Sequence, residues 1–362
     1  DPAFLIARYA SPQKFAAVAR VLWPLAFLPL HAPSLTALAL PVVAYLLLSN
    51  KASVSQLQFW YVTPILPILF VATAAAIGNA PPRRAQWLTL ALFVASVLGY
   101  LWLGAGPFAA NDEPARFAVT ERTECGQRLL ALVPPDASLS AQDNLMPHLA
   151  QRHNVWVFPS MGEPLAEFVA LDTRYEFAGG YSNWPTVRPL EVPAVVNRFL
   201  SQPAYDLVGD GCDYKILRHS DAPTIPRARA QLFGQQIAML GYEVAVADER
   251  GIYHSGLGTW DMGRSLRVIV WWQSVGHMLQ DYTVFVHALD ATGRVVGQHD
   301  SPPANGFRPT SQWNDGETVR DIHYFTLDGD ATQIEVGLYD ARTGRRLLLG
   351  DGGDAVNVTR DK

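Results

Sequence analysis

The chain has 362 residues, enough for two or three domains at about 150 residues per domain. Apolar residues make up 49% and charged residues 17%, which excludes a chain that is disordered throughout. The charges are unevenly distributed, because residues 1–111 carry six basic side chains and one acid, Asp1, against 22 basic and 32 acidic side chains in the remainder. A water-exposed surface uses both signs. The absence of acids from Pro2 to Asn111 therefore predicts a membrane segment.

Hydrophobic runs of suitable length support this prediction. About 20 apolar residues cross a hydrocarbon core of about 30 Å, and we expect four transmembrane helices within residues 1–106, at about 15–30, 34–49, 60–78 and 87–104. Aromatic side chains lie toward the ends of the last two runs, as in an interfacial belt. Prolines divide the run from 15 to 49, so either two tilted spans or a re-entrant hairpin fits it.

The short turn that contains Arg83 and Arg84 predicts the orientation, because positively charged short loops stay in the cytoplasm. The span 87–104 then runs outward, and residues 106–362 lie outside the cytoplasm. We therefore expect an integral membrane protein with extracytoplasmic C-terminal domains. Because the chain opens with Asp1 directly before an apolar stretch, we also expect an N-terminal part to be missing.

Two domains are predicted beyond the membrane segment, separated by a proline-containing loop at 220–229. In residues 107–220, helices at 114–133, 144–152 and 192–202 alternate with strands at 137–141, 155–159, 168–172, 205–209 and 213–218, which indicates a small α/β domain with a partly parallel sheet. In residues 230–362, seven or more short strands, the first at 232–246, indicate an all-β sandwich. The predicted fold class is a multidomain membrane protein of transmembrane helices, α/β domain and β-sandwich.

Three sequence stretches carry a family resemblance. LLALVPPDASLSAQDNLMPHLAQRHNVWVFP (129–159), FVALD (168–172) and AYDLVGDGCDYKILRH (204–219) follow a membrane pattern that includes LWPLAFLPLHAPSLTALALPVVAYLLLS. Over roughly residues 10–218, the chain resembles the bacterial membrane-protein family known as domain of unknown function 2079. That family is similar to GT-C glycosyltransferases, which use lipid-phosphate-linked sugars on the outer membrane face. The tail from WWQS onward resembles a β-sandwich often appended to such proteins.

The resemblance implies a membrane glycosyltransferase, but the chain departs from that enzyme in one respect. Such a transferase needs a carboxylate in an early external loop, as general base or metal ligand, and residues 2–111 contain none. We expect that carboxylate upstream, and no catalytic residue is assigned. The expected partners are membrane lipids, a polyprenyl-phosphate sugar and a glycan, with a divalent metal in the full-length protein. No cofactor and no nucleic acid is indicated. The alternative is a non-catalytic envelope protein whose external domains bind a glycan or a partner.

Candidate substrate-binding residues lie at the outer membrane face. Arg20 is the one charge inside a predicted span, where it either binds a lipid phosphate or extends to the interface. The external loop 51–61 either borders a lipid-phosphate or sugar site or forms an interfacial anchor. Its candidate residues are Lys51, Gln58, Trp60 and Tyr61.

The external domains offer fewer candidates. Trp272 and Trp313 either stack on a glycan or belong to a core, because the adjacent Trp271 and Trp272 point to opposite faces of a strand. Asp281, His287, His299 and Asp300 resemble metal ligands by type, but their spacing does not, and no metal site is predicted. Cys125 and Cys212, the two cysteines of the chain, either pair in the oxidising compartment or remain small buried side chains.

Overall fold

The protein is described by a computed structural model that covers residues 11–49, 54, 57, 59–174, 192–222, 224–256 and 259–358. It divides into two compact units, Asp1–Ala118 and Val119–Lys362. The division therefore falls after Ala118 rather than at residue 106. The segments predicted as separate α/β and β domains lie together in the second unit.

The first unit is helical. Its 3₁₀ turns at Trp23–Leu25, Leu28–His31, Ala37–Ala39 and Phe59–Val62 separate shorter α-helices. The α-helices are α1 (Pro12–Leu22), α2 (Pro33–Thr36), α3 (Leu40–Leu48), α4 (Leu66–Gly78) and α5 (Pro82–Leu103).

One helix of the described part, α5, is long and apolar enough by length and composition to cross a membrane. Its 22 residues extend for about 33 Å at about 1.5 Å per residue. The run Pro33–Leu48 and helix α4 are apolar but shorter. A helix is therefore present where one was predicted at 87–104, but it begins five residues earlier, at Pro82.

The spans predicted at 15–30 and 60–78 are not continuous α-helices. Helix α1 ends at Leu22, and beyond it Ala26 and Phe27 adopt left-handed backbone angles with φ of 50° and 56°. Pro24 lacks a backbone N–H, which favours this interruption. In the later run Pro67 lies in the first turn of α4, where proline is tolerated, and the helix begins only at Leu66.

The second unit opens with an α/β layer, in which the described residues form three helices and five strands. Its sheet has the order β2-β1-β3-β5-β4, in which β1 is parallel to both β2 and β3, and β5 is antiparallel to β3 and β4. The partly parallel sheet is as predicted. The elements are α6 (Glu121–Leu130), β1 (Leu139–Ala141), α7 (Met146–Leu149), β2 (Val155–Val157), β3 (Phe168–Asp172), α8 (Val192–Leu200), β4 (Tyr205–Gly211) and β5 (Tyr214–His219).

Helices cover both faces of this sheet. On one face Cys125 and Leu129 of α6 pack with Leu139, Ala170 and Ile216. On the other face, α8 contributes Val196 and Leu200 to a cluster with Val169, Leu171 and Leu217. On the first face, Cys125 and Cys212 form a disulfide with Cα atoms 6.4 Å apart. The structure thus pairs the two cysteines.

Two antiparallel sheets complete the second unit. One has the order β11-β10-β13-β14, and the other has the order β12-β9-β7-β6 with β8 also paired to β7. The strands are β6 (Arg227–Phe233), β7 (Ile237–Ala247), β8 (Tyr253–Ser255), β9 (Ser265–Ser274), β10 (Thr283–Leu289), β11 (Val295–Ser301), β12 (Thr318–Thr326), β13 (Gln333–Tyr339) and β14 (Val356–Asn357).

The predicted strand at 232–246 is two strands, because a tight turn at Gly234 and Gln235 separates β6 from β7. Strand β6 also begins at Arg227, inside the predicted loop 220–229.

The two antiparallel sheets share one buried core that includes Trp272, Val284, Trp313 and Val336. The opposite face of the antiparallel sheet β12-β9-β7-β6 packs on the α/β layer, since Ile322 of β12 contacts the cluster that contains Val196 and Leu200 of α8. The backbone N–H of Arg320 donates to the Ser201 carbonyl at 2.8 Å. This junction positions the candidate site.

Candidate ligand-binding site

A buried charged cluster centres on Asp210 of β4. Its carboxylate accepts hydrogen bonds from Arg267 Nη1 at 2.8 Å and from the Tyr324 hydroxyl at 2.9 Å, and it also accepts one from Lys215 Nζ. Arg267 donates in addition to Glu243. We refer to these five residues as the Asp210 cluster. The cluster joins the α/β layer to the antiparallel sheet β12-β9-β7-β6, because Arg267, Tyr324 and Glu243 lie on β9, β12 and β7, respectively.

A tight hairpin turn creates part of this cluster. Cys212 and Asp213 between β4 and β5 have φ of 49° and 69°, as in a two-residue type I′ turn. The turn sets the register that places Asp210 directly opposite Lys215. Cys212 is also held by the disulfide, so the hairpin end is fixed covalently.

The charges of the Asp210 cluster balance. Burial alone would raise the pKa of Asp210, but Lys215 and Arg267 hold it below its ordinary value. Burial opposes the charge of Arg267, yet Asp210 and Glu243 keep its pKa above the ordinary value. The pKa of Tyr324 is raised well above its usual range by burial and by Asp210. At neutral pH Asp210 and Arg267 are therefore charged and the Tyr324 phenol is neutral.

Arg320 of β12 is a third buried cation, with 2% of its surface exposed. Its Nε donates to the Leu200 carbonyl at the end of α8 at 2.7 Å, and its Nη1 donates to the Tyr205 carbonyl. Among the described residues its Nη2 has no hydrogen-bond acceptor. Burial lowers the pKa of Arg320 to about 10, so the guanidinium is charged at neutral pH.

A cavity of about 500 Å³ lies against these residues. This volume is in the range of about 300–1,000 Å³ that small-molecule sites occupy. Tyr253 and Tyr324 line it with ring centroids 5.4 Å apart. Polar groups complete the wall and include Asn197, Lys215, Asn305 and Arg320. The arrangement suits a small polar ligand.

A second polar cluster lies where β1 and β3 end. Asp172 accepts hydrogen bonds from Arg122 Nη2 at 2.5 Å and from Asn144 Nδ2 at 3.2 Å, and its backbone N–H donates to Gln142 Oε1 at 2.5 Å. Burial raises the pKa of Asp172, and the Arg122 guanidinium opposes that shift. Ligands of open α/β sheets bind at such carboxyl edges. Residues 175–191, which follow β3, lie outside the described residues, and no site is assigned here.

The structure corrects one set of predicted site residues. Trp272 and Trp313 are 0% and 1% exposed and belong to the core between the two sheets, so neither can stack on a glycan at the surface. Their apolar bulk fills the space between the sheets.

The membrane-face candidates are only partly described. Arg20 is exposed on α1. Tyr61 is half-buried and packs against the cluster of Ala17 and Leu46. Lys51, Gln58 and the side chain of Trp60 lie outside the described residues.

The four residues that resemble metal ligands do not come together at one place, and each has its own hydrogen-bond partner. His287 and Asp300 are paired at 2.9 Å, and His299 Nδ1 lies 2.9 Å from His323 Nδ1. Asp281 accepts from the Ser311 backbone N–H. Within the described part of the chain, no group of three or more His, Cys, Asp or Glu side chains could hold a metal ion.

The fold and the sequence comparison together define the class of the protein. An apolar helical unit, whose described part contains one helix of membrane-spanning length, precedes a large α/β and β unit, an organisation that suits a membrane protein. The chain belongs to the family described as predicted membrane protein (DUF2079), whose model matches residues 1–188, just over half of its length. The family resemblance is thereby confirmed, and the relation to GT-C glycosyltransferases stays a prediction. No match was found among the curated proteins.

Proposed function

We propose that this protein is anchored in the bacterial plasma membrane and that its second unit binds a saccharide outside the cytoplasm. The cavity beside the Asp210 cluster carries the proposal. Saccharides present many hydroxyl groups on a compact ring, and they bind to walls that combine aromatic rings with amides and charged groups. Tyr253, Tyr324, Asn197 and Asn305 provide such a wall.

A bulky side chain in the cavity tests this proposal. Asn197 lies on α8, is half-buried and lines the cavity. Asn197→Trp in the detergent-solubilised chain should abolish binding to a glycan array. Arg198→Trp is the matched control, because Arg198 is the next residue of α8, is exposed and is not part of the wall. Equal glycan binding by both variants would refute the proposed site, as would an unmodified chain that binds no saccharide.

The membrane placement rests on the acid-free first unit, on helix α5 and on the family of predicted membrane proteins. We place Arg83 and Arg84 in the cytoplasm and the second unit outside it. The two sheets with one shared core support the predicted β-sandwich. Reporter fusions after Pro82 and after Gly106 test the orientation. A reporter after Gly106 that is active only in the cytoplasm would overturn it.

The second candidate function is that of a GT-C-like glycosyltransferase whose catalytic carboxylate lies upstream of this chain. It is favoured by the resemblance of residues 10–218 to a family that is similar to such enzymes, and the carboxylate is placed upstream because residues 2–111 contain no acid. The donor would be a polyprenyl-phosphate sugar, and the full-length enzyme would use a divalent metal. Arg20 and the loop 51–61 would border the lipid phosphate.

Substitutions at that loop separate the two functions. In the full-length protein, Lys51→Ala and Tyr61→Ala should each reduce sugar transfer from a polyprenyl-phosphate donor, while glycan binding by the second unit is unchanged. Transfer that is unaffected by both substitutions would remove the loop from the site.

A further inference from the structure

A second cavity lies in the first unit, where α4 ends and α5 begins. We infer that it binds the headgroup of an anionic phospholipid and that Arg84 is the cation that contacts the phosphate. This inference concerns a different place from the saccharide cavity. It rests on the part of the proposed function that anchors the first unit in the membrane.

The cavity has a volume of about 420 Å³, within the range of about 300–1,000 Å³ of small-molecule sites. Four segments form its wall: the 3₁₀ turn that ends at His31, helix α2, the end of α4 and the start of α5. The wall combines hydrogen-bonding side chains with apolar ones. Its polar members include His31, Ser34, Asn79 and Arg84, and its apolar members include Leu35, Ala75, Ala76 and Leu88.

The positive charge of this wall is uncompensated. Within the described part of the chain, the side chain of Arg84 forms no hydrogen bond or ion pair. Residues 2–111 contain no acid. The next acids along the chain, Asp112 and Glu113, follow the opposite end of α5, whose 22 residues extend for about 33 Å. The described part of the first unit thus supplies no anion for Arg84, and a bound ligand would be the source of one.

The position of Arg84 on α5 suits a lipid rather than a free anion. Arg84 lies in the first turn of the helix that is long enough to span a membrane, and Leu88 of the same wall lies four residues later on the same side. Farther along, α5 exposes Leu90 and Phe93. A phospholipid has the same order, with its phosphate at the interface and its acyl chains in the hydrocarbon core. Basic pockets between transmembrane helices bind acidic headgroups at the cytoplasmic side.

The chemistry of the wall favours an anionic headgroup over a zwitterionic one. The planar guanidinium of Arg84 matches phosphate oxygens, and the Asn79 amide and the Ser34 hydroxyl are further donors. Of the described residues that line the cavity, none is a carboxylate or a Phe, Tyr or Trp ring that would bind the trimethylammonium group of phosphatidylcholine. Phosphatidylglycerol carries the phosphate without that cation.

Native mass spectrometry of the full chain, delipidated in nonionic detergent, tests the inference. The chain is titrated with dioleoyl phosphatidylglycerol and, separately, with dioleoyl phosphatidylcholine. We expect phosphatidylglycerol to bind at least about tenfold more tightly, the difference that one charge-assisted hydrogen bond predicts. Equal affinities would overturn the inference. Displacement of phosphatidylglycerol by inorganic phosphate would also overturn it, because the cavity would then bind a free anion. These titrations do not depend on orientation or on saccharide binding, which the reporter fusions and the glycan array test separately.

Two neighbouring arginines allow a matched comparison. Arg84→Gln should lower the affinity for phosphatidylglycerol at least about tenfold and remove the preference over phosphatidylcholine. Arg83→Gln removes an equal charge at the preceding position, which is also exposed but is not part of the wall, and it should change the affinity little. Equal losses in the two variants would indicate a general attraction between positive charge and lipid, which contradicts a site at Arg84.

A negative charge in the wall gives a second test that leaves Arg84 intact. Ser34 is exposed and lines the cavity, so Ser34→Glu should weaken binding of phosphatidylglycerol at least about tenfold by repulsion of the phosphate. Gln86→Glu is the control, because it adds the same charge at an exposed position of α5 outside the wall. Phosphatidylglycerol affinity that is unchanged by Ser34→Glu, or reduced as much by Gln86→Glu, would overturn the inference.

Discussion

Removal of the charge at Asp210 should destabilise the second unit strongly. In Asp210→Asn, Lys215 and Arg267 remain buried, with 6% and 3% of their surfaces exposed, but they lose the carboxylate between them. At an effective dielectric constant of about 20, two unit charges about 4 Å apart attract by about 4 kcal/mol. Part of that attraction offsets desolvation, and breaking a buried pair costs about 3–5 kcal/mol because a charge is left unpaired. We expect a loss in that range.

The assay is urea unfolding of the detergent-solubilised chain, followed by pulse proteolysis and detection of the second unit with a C-terminal antibody. Asp315→Asn is the matched control, since Asp315 is exposed in a turn, and its effect should stay within about 0.5 kcal/mol. The double variant Asp210→Asn/Lys215→Met should be no less stable than Asp210→Asn, because it removes one of the unpaired cations. A loss below about 1 kcal/mol for Asp210→Asn would refute the reasoning.

Three further predictions concern the second unit. The double variant Cys125→Ala/Cys212→Ala opens a loop with a sequence separation of 87, and it should lose up to about 4–5 kcal/mol in urea unfolding, an effect that reduction of the unmodified chain should reproduce. Burial and His323 lower the pKa of His299 below 6.5, so the unfolded chain takes up the proton first and stability should fall as the pH drops below about 6.5. His299→Gln should flatten this dependence in thermal melts, and a parallel curve would contradict it. Trp272→Ala should cost about 3–5 kcal/mol by opening a void in the core, while sugar affinity measured below the melting temperature stays unchanged; a lost affinity would return Trp272 to the site.

Segments with a strong local pattern were predicted well. Strand β3 occupies residues 168–172, as predicted, because it is a short and mainly apolar run. The turn at Gly234 and Gln235 was missed because the sequence lacks the Asn-Gly or Asp-Gly pair that usually marks such a hairpin. The bounds of the predicted spans came mainly from the lengths of the hydrophobic runs, which do not register the interruption after Leu22.

The candidate site could not be predicted, because its parts come from distant segments. Asp210, Arg267 and Arg320 meet only when three strands from two sheets pack together. One signal was present in the sequence: Arg267 and Arg320 interrupt runs that otherwise read as buried strands. Buried charges of this kind are rare unless paired, so they mark tertiary contacts or sites. The pattern indicates the residues but not their partners.

The boundary of the family match has a practical consequence for the design of protein fragments. The match ends at residue 188, before β4, β5 and Cys212. A chain cut there would retain β3 without the strand that pairs with it from Phe168 to Asp172, and Cys125 would lose its partner. The unpaired edge of an apolar strand promotes aggregation. A fragment intended for crystallisation should therefore begin near Val119 and continue through β14, well past the region that sequence homology delimits.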